Sequence, residues 1–301
     1  MKNKKTLIVI LLLFIIGISL YMISHRSWFS PDQFFFLALL GSAVVGRVRI
    51  FLFDWIPFLL SYFGYEFMRG LVPYISGKVH ILGMIRFDQA LFGYIPAVKF
   101  QSLFYNPGQP QWYDYVSAIV YVCHFVTPMI VGYLFWLKDR KIFKEFAIAF
   151  LLLSYAGLIT FALFPAMPPW MASDMGYIQV KIPQTLGPIM SHFPTMQVNF
   201  PTIYQYMASD PVAAVPSLHA AFPLLILLYL VKKFKTAGLL FLPYVVTVWF
   251  AVMYLGEHYF IDVLIGAVYA VVVFLIVEKR RFLLTSFRKL LSNLKISFNI
   301  V

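Results

Sequence analysis

Six stretches of mostly apolar residues, each of about 20 residues, divide this chain, and each is bounded by charged residues or by proline and glycine. A helix of that length is just long enough to cross the hydrocarbon core of a bilayer. Apolar side chains make up 61% of the 301 residues and charged ones only 12%, whereas about a quarter of the residues in a soluble domain are charged. The sequence therefore predicts an all-α, polytopic membrane protein, and it excludes an ordinary cytosolic enzyme or a nucleic-acid-binding domain. The six stretches are residues 7–23, 115–137, 146–164, 215–231, 237–255 and 259–277.

Lysine and arginine residues cluster in alternate connections between these stretches. Positively charged residues beside a span remain on the cytoplasmic side of the membrane. Lys5 and Lys138 can both be cytoplasmic only if an even number of spans separates the first stretch from the second. Two short helices over 34–45 and 50–63, joined by a basic turn, give eight spans, whereas an interfacial segment there gives six. In either case both chain ends face the cytoplasm, in what we expect to be a plasma membrane.

The chain is expected to form one membrane domain between two basic ends. Residues 1–33 form an N-terminal anchor and its connection, 34–277 the main membrane domain, and 278–301 a basic cytoplasmic tail. The anchor is expected to be uncleaved, because no small-residue cleavage site follows it. Two long outer loops are predicted at 64–114 and 165–216, and the second holds nine of the 18 prolines. Connections of this length commonly serve as lids or binding loops.

Two histidines begin spans on the outer side, and the second is followed by an acidic residue. His219 opens one span, and His258 and Asp262 open another. Ionisable side chains at the ends of apolar helices are costly and are therefore functional candidates. A helix would place His258 and Asp262 on one face, where the carboxylate fixes the imidazole tautomer. Two imidazoles, one held by a carboxylate, can supply a nucleophile and a general acid. A single buried histidine is more often a packed core residue. The prediction of catalysis therefore depends on the combination of His219 with the His258–Asp262 pair.

The other histidines lack such partners. His25 lies near an exposed turn and His192 in the proline-rich loop, and His80 could contact a lipid head group, although a structural role is favoured for it. His124 lies within a predicted span, and two interpretations stay open for it: a hydrogen bond in helix packing, or support of the active site. The single Cys123 excludes an intramolecular disulfide, and no Cys/His spacing is typical of a zinc site. Neither a metal nor another cofactor is expected.

Three motifs resemble those of the type 2 phosphatidic acid phosphatase superfamily, and most closely its inositol phosphorylceramide synthase-like branch. They are FPAMPPW at 164–170, PSLH at 216–219 and HYFID at 258–262, with a weaker FDQALFG at 87–93. The resemblance implies a compact phosphatidic acid phosphatase/haloperoxidase-like helical core with an extracytoplasmic active site. By the family mechanism, His258 attacks phosphorus to form a phosphohistidine. Asp262 orients the imidazole, His219 protonates the departing oxygen, and no metal is required.

The sequence also departs from the phosphatase members of that superfamily. Those members carry a lysine and an arginine in the first motif and an arginine six residues before the last histidine. The segment 164–170 has neither, and the arginine position is Val252. Phosphoryl transfer depends on cations and N–H groups around the phosphate oxygens, so other residues must supply them. We expect Arg69 first and Arg86 second, with N–H groups near Ser217. The other candidate substrate-binding residues are Pro168, Trp170 and Asp88.

These features predict a lipid phosphotransferase of the inositolphosphotransferase type, acting through a phosphohistidine at the extracytoplasmic face. Its partners would be a phospholipid donor and an alcohol or lipid acceptor, and no nucleic acid. A lipid phosphate phosphatase, for phosphatidic acid or a polyprenyl phosphate, is the alternative. The absent lysine and arginine favour transfer over hydrolysis. A transporter or an inactive scaffold fits less well, because transporters place ionisable residues near the bilayer midplane.

Overall fold

The computed structural model describes residues 2–25, 31–75, 77–192 and 211–298. Within these ranges the backbone is mainly α-helical, with short 3-10 helices at Cys123–Phe125 and Lys235–Phe241 and isolated β-bridges as its only extended pairing. The prediction of an all-α fold is confirmed. The helices are α1 (Lys2–His25), α2 (Pro31–Val44), α3 (Val48–Ile75), α4 (Leu82–Phe92), α5 (Pro96–Phe104), α6 (Trp112–Val122), α7 (Thr127–Lys138), α8 (Arg140–Leu163), α9 (Pro169–Asp174), α10 (Leu186–Ser191), α11 (Leu218–Phe234), α12 (Leu242–Tyr254) and α13 (Phe260–Phe298).

Four helical stretches in the described ranges are long and apolar enough to span a membrane, and a bent pair of helices adds a fifth. One of the four, Leu218–Tyr254, contains both α11 and α12. The indole N–H of Trp249 donates to the carbonyl oxygen of Ala220 at 3.0 Å. Residues 29 positions apart would lie about 43 Å apart in one straight helix. The chain therefore folds back here, and α11 and α12 form the antiparallel pair that the sequence predicted as two spans.

The segment predicted as the first outer loop is largely helical. α3 continues to Ile75 instead of ending near residue 63, and α4 and α5 occupy most of 82–104. Gly93 ends α4 in the left-handed conformation, and Pro96 begins α5. Because glycine and proline interrupt these two short helices, their apolar periodicity is too brief to stand out in the sequence. In the second predicted loop, α9 and α10 are helical, and residues 193–210 lie outside the described residues.

The predicted span 115–137 is bent by 60° between α6 and α7. Pro128 follows the break, and proline has no N–H to donate to the carbonyl of His124, four residues earlier. The Thr127 hydroxyl instead donates to the carbonyl oxygen of Cys123 at 2.8 Å. The break places the 3-10 turn with His124 beside the first turn of α11, where His219 lies.

Ion pairs join the helices at the end that was predicted to be cytoplasmic. Arg140 binds both carboxylate oxygens of Asp54, at 2.6 and 2.8 Å. Lys232 lies between Glu145 and Glu278, and so connects α8, α11 and α13. Lys232 is about 20 Å along α11 from His219. The bundle thus has one end held by ion pairs and, opposite to it, the end that carries the histidines.

Candidate active site

Three extended segments meet at the histidine end and hold the first motif in place. The N–H of His80 donates to the carbonyl oxygen of Pro165, and the N–H of Met167 donates back to that of His80, at 2.8 and 3.0 Å. On the other side, the N–H of Ala166 donates to the carbonyl oxygen of Val212 at 2.7 Å. The segment 164–170 is therefore fixed between the chain leading into α4 and the chain leading into α11.

The start of α11 lies directly against α13. Ser217 caps α11, its hydroxyl accepting the N–H of Ala220, and its own N–H donates to the backbone carbonyl oxygen of Asp262 at 3.0 Å. Gly266, one turn further along α13, makes this approach possible. A Cβ at that position would lie 2.3 Å from the carbonyl oxygen of Ser217. The second and third motifs are thus joined through their backbones.

The structure brings His219, His258 and Asp262 together. Nε2 of His258 lies 3.3 Å from Nδ1 of His219. Nδ1 of His258 lies 3.0 Å from the carbonyl oxygen of Ala214 and 3.5 Å from Oδ2 of Asp262. His258 and Asp262 are buried, and His219 is half-buried. These three predicted residues therefore share one site, although they come from two separate spans.

The way in which His258 and Asp262 meet differs from the prediction. His258 precedes α13, and Asp262 lies in its first turn, so one helix does not carry both. Oδ2 of Asp262 accepts the backbone N–H of Tyr259 at 2.8 Å, which turns the carboxylate back towards the histidine. The acceptor nearest to Nδ1 of His258 is the carbonyl of Ala214, a residue that the sequence did not single out.

The hydrogen bonds assign the tautomers of the two imidazoles. A backbone carbonyl only accepts, so Nδ1 of His258 carries the proton that is donated to Ala214. In the neutral ring, Nε2 of His258 then carries the lone pair that faces His219. Nδ1 of His219 is consequently the donor in the 3.3 Å contact. A lone pair and an N–H donor face each other across the site.

Two further rings enclose His219. The ring of Tyr121 stacks on it with centroids 4.3 Å apart and planes 13° apart. The ring of His124 lies 3.7 Å from it, centroid to centroid, and is itself buried. Nδ1 of His124 lies 2.7 Å from the carbonyl oxygen of Tyr121. Two interpretations were left open for His124: a hydrogen bond in helix packing, or support of the active site. The structure shows a local hydrogen bond to Tyr121 and also places the ring against His219.

Arg69 brings positive charge to this group of rings. It lies on the part of α3 that extends beyond the predicted helix, and it pairs with the buried Glu66 at 2.8 Å. Its charge is close enough to act electrostatically on His124 and His219. Val252, at the position where the phosphatases that the motifs resemble have an arginine, is buried, and its carbonyl accepts the N–H groups of Glu257 and His258.

The other predicted substrate-binding residues lie around the site in different ways. The buried Asp88 accepts the N–H groups of Phe260 and Ile261, at 2.9 and 3.2 Å, and so caps α13 from a distant helix. Burial raises the pKa of Asp88 to about 6, against the opposing effect of those two hydrogen bonds. Arg86 is exposed and points about 160° away from Asp88 around α4. Pro168 is buried immediately before α9.

A polar cluster lies beside His258, and Trp170 is its one member that the sequence predicted as a substrate-binding residue. Glu257 accepts a hydrogen bond from the side-chain amide of Gln184 at 3.0 Å and another from the side chain of Trp170. The N–H of Trp170 also donates to the carbonyl oxygen of Gly256 at 3.1 Å. Burial raises the pKa of the Glu257 carboxyl above its usual range. The sequence did not single out Glu257 or Gln184, and the only signal for Glu257 was that it adjoins His258.

This arrangement has the parts needed for nucleophilic substitution with proton transfer. A buried imidazole with a free lone pair, an oriented carboxylate and a second imidazole with an N–H are within hydrogen-bond reach of one another. The part of the chain that the structure describes contains no group of three or more His, Cys, Asp or Glu side chains that could hold a metal ion.

Comparison with known proteins gives the family. Residues 83–276, more than half of the chain, match the PAP2 superfamily. A phosphoinositol dihydroceramide synthase of Bacteroides thetaiotaomicron is 29% identical over 222 residues, which cover 70% of this chain and 71% of that protein.

Two yeast proteins are also similar, over shorter stretches. The inositol phosphorylceramide synthase catalytic subunit aur1 of Schizosaccharomyces pombe is 29% identical over 56% of this chain and 41% of its own length. The corresponding subunit AUR1 of Saccharomyces cerevisiae is 30% identical over 39% of this chain and 30% of its own length. The matches therefore span less than half of either yeast protein, and no solved structure matches the chain. With the family match over the segment that contains both histidines and Asp262, the chain is an integral-membrane enzyme of the PAP2 superfamily, similar to inositol phosphorylceramide synthases.

Proposed function

We propose that this enzyme transfers an inositol phosphate group from a phospholipid to a ceramide-type lipid alcohol through a phosphohistidine on His258. The observation that carries the proposal is the contact between Nε2 of His258 and Nδ1 of His219, with Asp262 beside the first ring. The similarity to a phosphoinositol dihydroceramide synthase and an inositol phosphorylceramide synthase supports the choice of group and acceptor.

In the first step, the donor phosphorus enters between the two rings. Nε2 of His258 attacks it, the N–P bond forms, and the P–O bond to the diacylglycerol oxygen breaks. His219, which lies on the far side of the phosphorus and starts as the imidazolium ion, gives one proton to that oxygen and becomes neutral. Ala214 and Asp262 stabilise the positive charge that develops on the His258 ring.

In the second step, the hydroxyl group of the acceptor attacks the phosphorus. His219 takes the hydroxyl proton, the new P–O bond forms, and the N–P bond to His258 breaks. Both imidazoles then return to their starting protonation states. Arg69, whose charge acts on His219, and N–H groups at the start of α11 would stabilise the phosphate oxygens.

Transfer is favoured over hydrolysis by the relatives and by the charge of the site. The lysine and two arginines of the phosphatase pattern are missing, and Val252 is buried where one of them would stand. The distribution of lysine and arginine supports an extracytoplasmic site, because the opposite end of α11 carries Lys232 and Lys233.

The test is a transfer assay with purified enzyme in liposomes that contain phosphatidylinositol labelled in the inositol ring. We expect label in inositol phosphorylceramide only when ceramide is present, and none with His258→Ala, which should fold normally. His192→Phe, an exposed histidine outside the site, is the matched control and should keep full activity. Release of water-soluble inositol phosphate at the same rate with and without ceramide would contradict transfer.

A further inference from the structure

We propose that His124 and Tyr121 are positioning residues that clamp the ring of His219, and that they set its ability to protonate the leaving oxygen. The inference rests on the proposed role of His219 as general acid. It concerns the break between α6 and α7, which the family motifs do not include.

The first step of the argument is the contact itself. The rings of Tyr121 and His124 lie 4.3 and 3.7 Å from that of His219, centroid to centroid, and both belong to the short stretch 121–124. The stacked tyrosine restricts rotation of the His219 ring about its own bond to the backbone. The tilted His124 ring, at 51°, blocks displacement of His219 from a second direction. A misplacement of 1 Å at a reacting group can cost about 100-fold in rate.

The second step concerns the tautomer of His124. Its Nδ1 lies 2.7 Å from the carbonyl oxygen of Tyr121, which can only accept, so Nδ1 carries the proton. The hydrogen bond joins the two clamping residues to each other and fixes the orientation of the His124 ring. In the neutral ring the remaining nitrogen carries a lone pair. His124 can therefore pack against a protonated His219 without adding a second positive charge.

The third step concerns the cost of placing these groups here. His124 is a buried ionisable residue in an otherwise apolar span, and such residues are expensive to retain. The charged and titratable groups around it are His219 and His258 on the facing segments and Arg69, paired with Glu66, on α3. Arg69 would disfavour a protonated His219, whereas the electron-rich face of Tyr121 would favour it. The stacked ring of Tyr121 therefore offsets part of the destabilisation of protonated His219 by the charge of Arg69.

The experiment compares leaving groups that do and do not need a proton. One substrate is phosphatidylinositol, whose alkoxide leaves only with protonation. The other is a p-nitrophenyl phosphodiester, whose aryloxide leaves without it. The reference variant His219→Asn should lose about 100-fold or more with the first substrate and much less with the second.

We expect His124→Phe and Tyr121→Leu to show the same pattern in the first step, measured as the burst of leaving-group release, with a loss of about 10- to 100-fold for phosphatidylinositol and at most about threefold for the aryl substrate. Tyr121→Phe keeps the stacked ring and should retain most of the activity, which makes it the conservative control. His192→Phe should behave as wild type towards both substrates.

Equal losses with both substrates would overturn the inference, because they would show a general effect on folding or binding. Unchanged activity of His124→Phe would overturn it as well. Failure of the proposed function is a separate result: it would show as absence of transfer to ceramide by the wild type. Release of the first equivalent of nitrophenolate requires only the attack by His258 and no ceramide, so the leaving-group comparison can still be read in that case.

Discussion

The smallest feature on which the site depends is the missing side chain of Gly266. The atom that a Cβ there would meet is the backbone carbonyl oxygen of Ser217, at 2.3 Å, and a carbonyl cannot rotate away as a flexible side chain can. Any larger residue must push the start of α11 away from α13. Because His219 follows Ser217 by two residues, that shift would widen the contact with His258 directly.

We therefore expect Gly266→Ala to destabilise the protein by about 1–3 kcal/mol, the usual cost of overpacking, and to reduce turnover at least about tenfold. Thermal unfolding in detergent and the transfer assay measure the two effects. Gly83→Ala is the control, since no atom lies within 4 Å of a Cβ there and the position is helical. Full activity of the Gly266 variant would show that the close approach is not needed.

Asp88 gives a prediction for the pH dependence of stability. Its pKa is raised from 3.8 to about 6 by burial, so the folded protein holds this proton between those values while the unfolded chain releases it. The associated stabilisation is complete below about pH 4 and is lost as pH rises through about 6, by up to about 3 kcal/mol. Since Asp88→Asn cannot titrate, the stability of wild type relative to that variant should fall over this range. A constant or rising difference in unfolding free energy would contradict the assigned pKa.

At the residue scale, the sequence located His219, His258 and Asp262, because ionisable groups at the ends of apolar spans stand out. It did not show that Asp88 caps α13, since that contact joins residues 172 positions apart. Nor did it show the use of the Ala214 carbonyl, because every residue has one. The role of Glu257 was missed because its partners are distant in the sequence and lie in the proline-rich connection.

At the scale of elements, the ends of the helices decide where the site forms. Ser217 caps α11, Asp88 and Asp262 accept N–H groups at the start of α13, and Asp139 accepts those of Lys141 and Ile142 at the start of α8. Two of these three capped helix starts, those of α11 and α13, lie at the candidate active site. The third lies at the opposite end of the bundle, where Asp139 also pairs with Lys233.

Asp139 therefore allows the capping effect to be measured apart from catalysis. Asp139→Ala should lower the free energy of unfolding by about 1–2 kcal/mol through loss of the cap, and leave kcat unchanged. Asp139→Asn keeps a good cap and loses only the partly exposed ion pair, so its effect should be smaller, about 1 kcal/mol or less. Equal destabilisation by the two variants would show that the ion pair, and not the cap, stabilises this end.

Element bounds were the least predictable part of the fold. Apolar length gave the positions of α8, α11, α12 and α13, because each is a long, uninterrupted run. The length of α3 was underestimated, because polar residues such as Glu66 and Arg69 end the apolar run while the helix continues. The break before α7 had a sequence signal in Pro128, but the rotation that brings His124 to His219 depends on packing with α11.

At the scale of the whole molecule, charge separates the two ends of the bundle. The ion pairs of Lys232 and Lys233 lie at one end, and the imidazoles lie about 20 Å away along α11. The pattern of lysine and arginine predicts that the first end is cytoplasmic. It follows from the antiparallel packing of α11 and α12 that His219 and His258 face the same side.

This orientation predicts the labelling of introduced cysteines. With Cys123 replaced by alanine, a cysteine at exposed Gln109, in the loop before α6, should react with a membrane-impermeant thiol reagent in intact cells. A cysteine at exposed Lys141, at the start of α8, should react only after the cells are opened. The reverse pattern would place the active site on the cytoplasmic side.

The most direct test of the central claim is to look for the covalent intermediate on His258. Purified enzyme is incubated briefly with phosphatidylinositol without ceramide, quenched at alkaline pH and digested, and the peptide with His258 is examined by mass spectrometry. We predict an added inositol phosphate on that histidine, removed when ceramide is supplied before the quench and absent in His258→Ala. An adduct on another residue, or transfer to ceramide with no adduct on His258 at any time, would contradict the account.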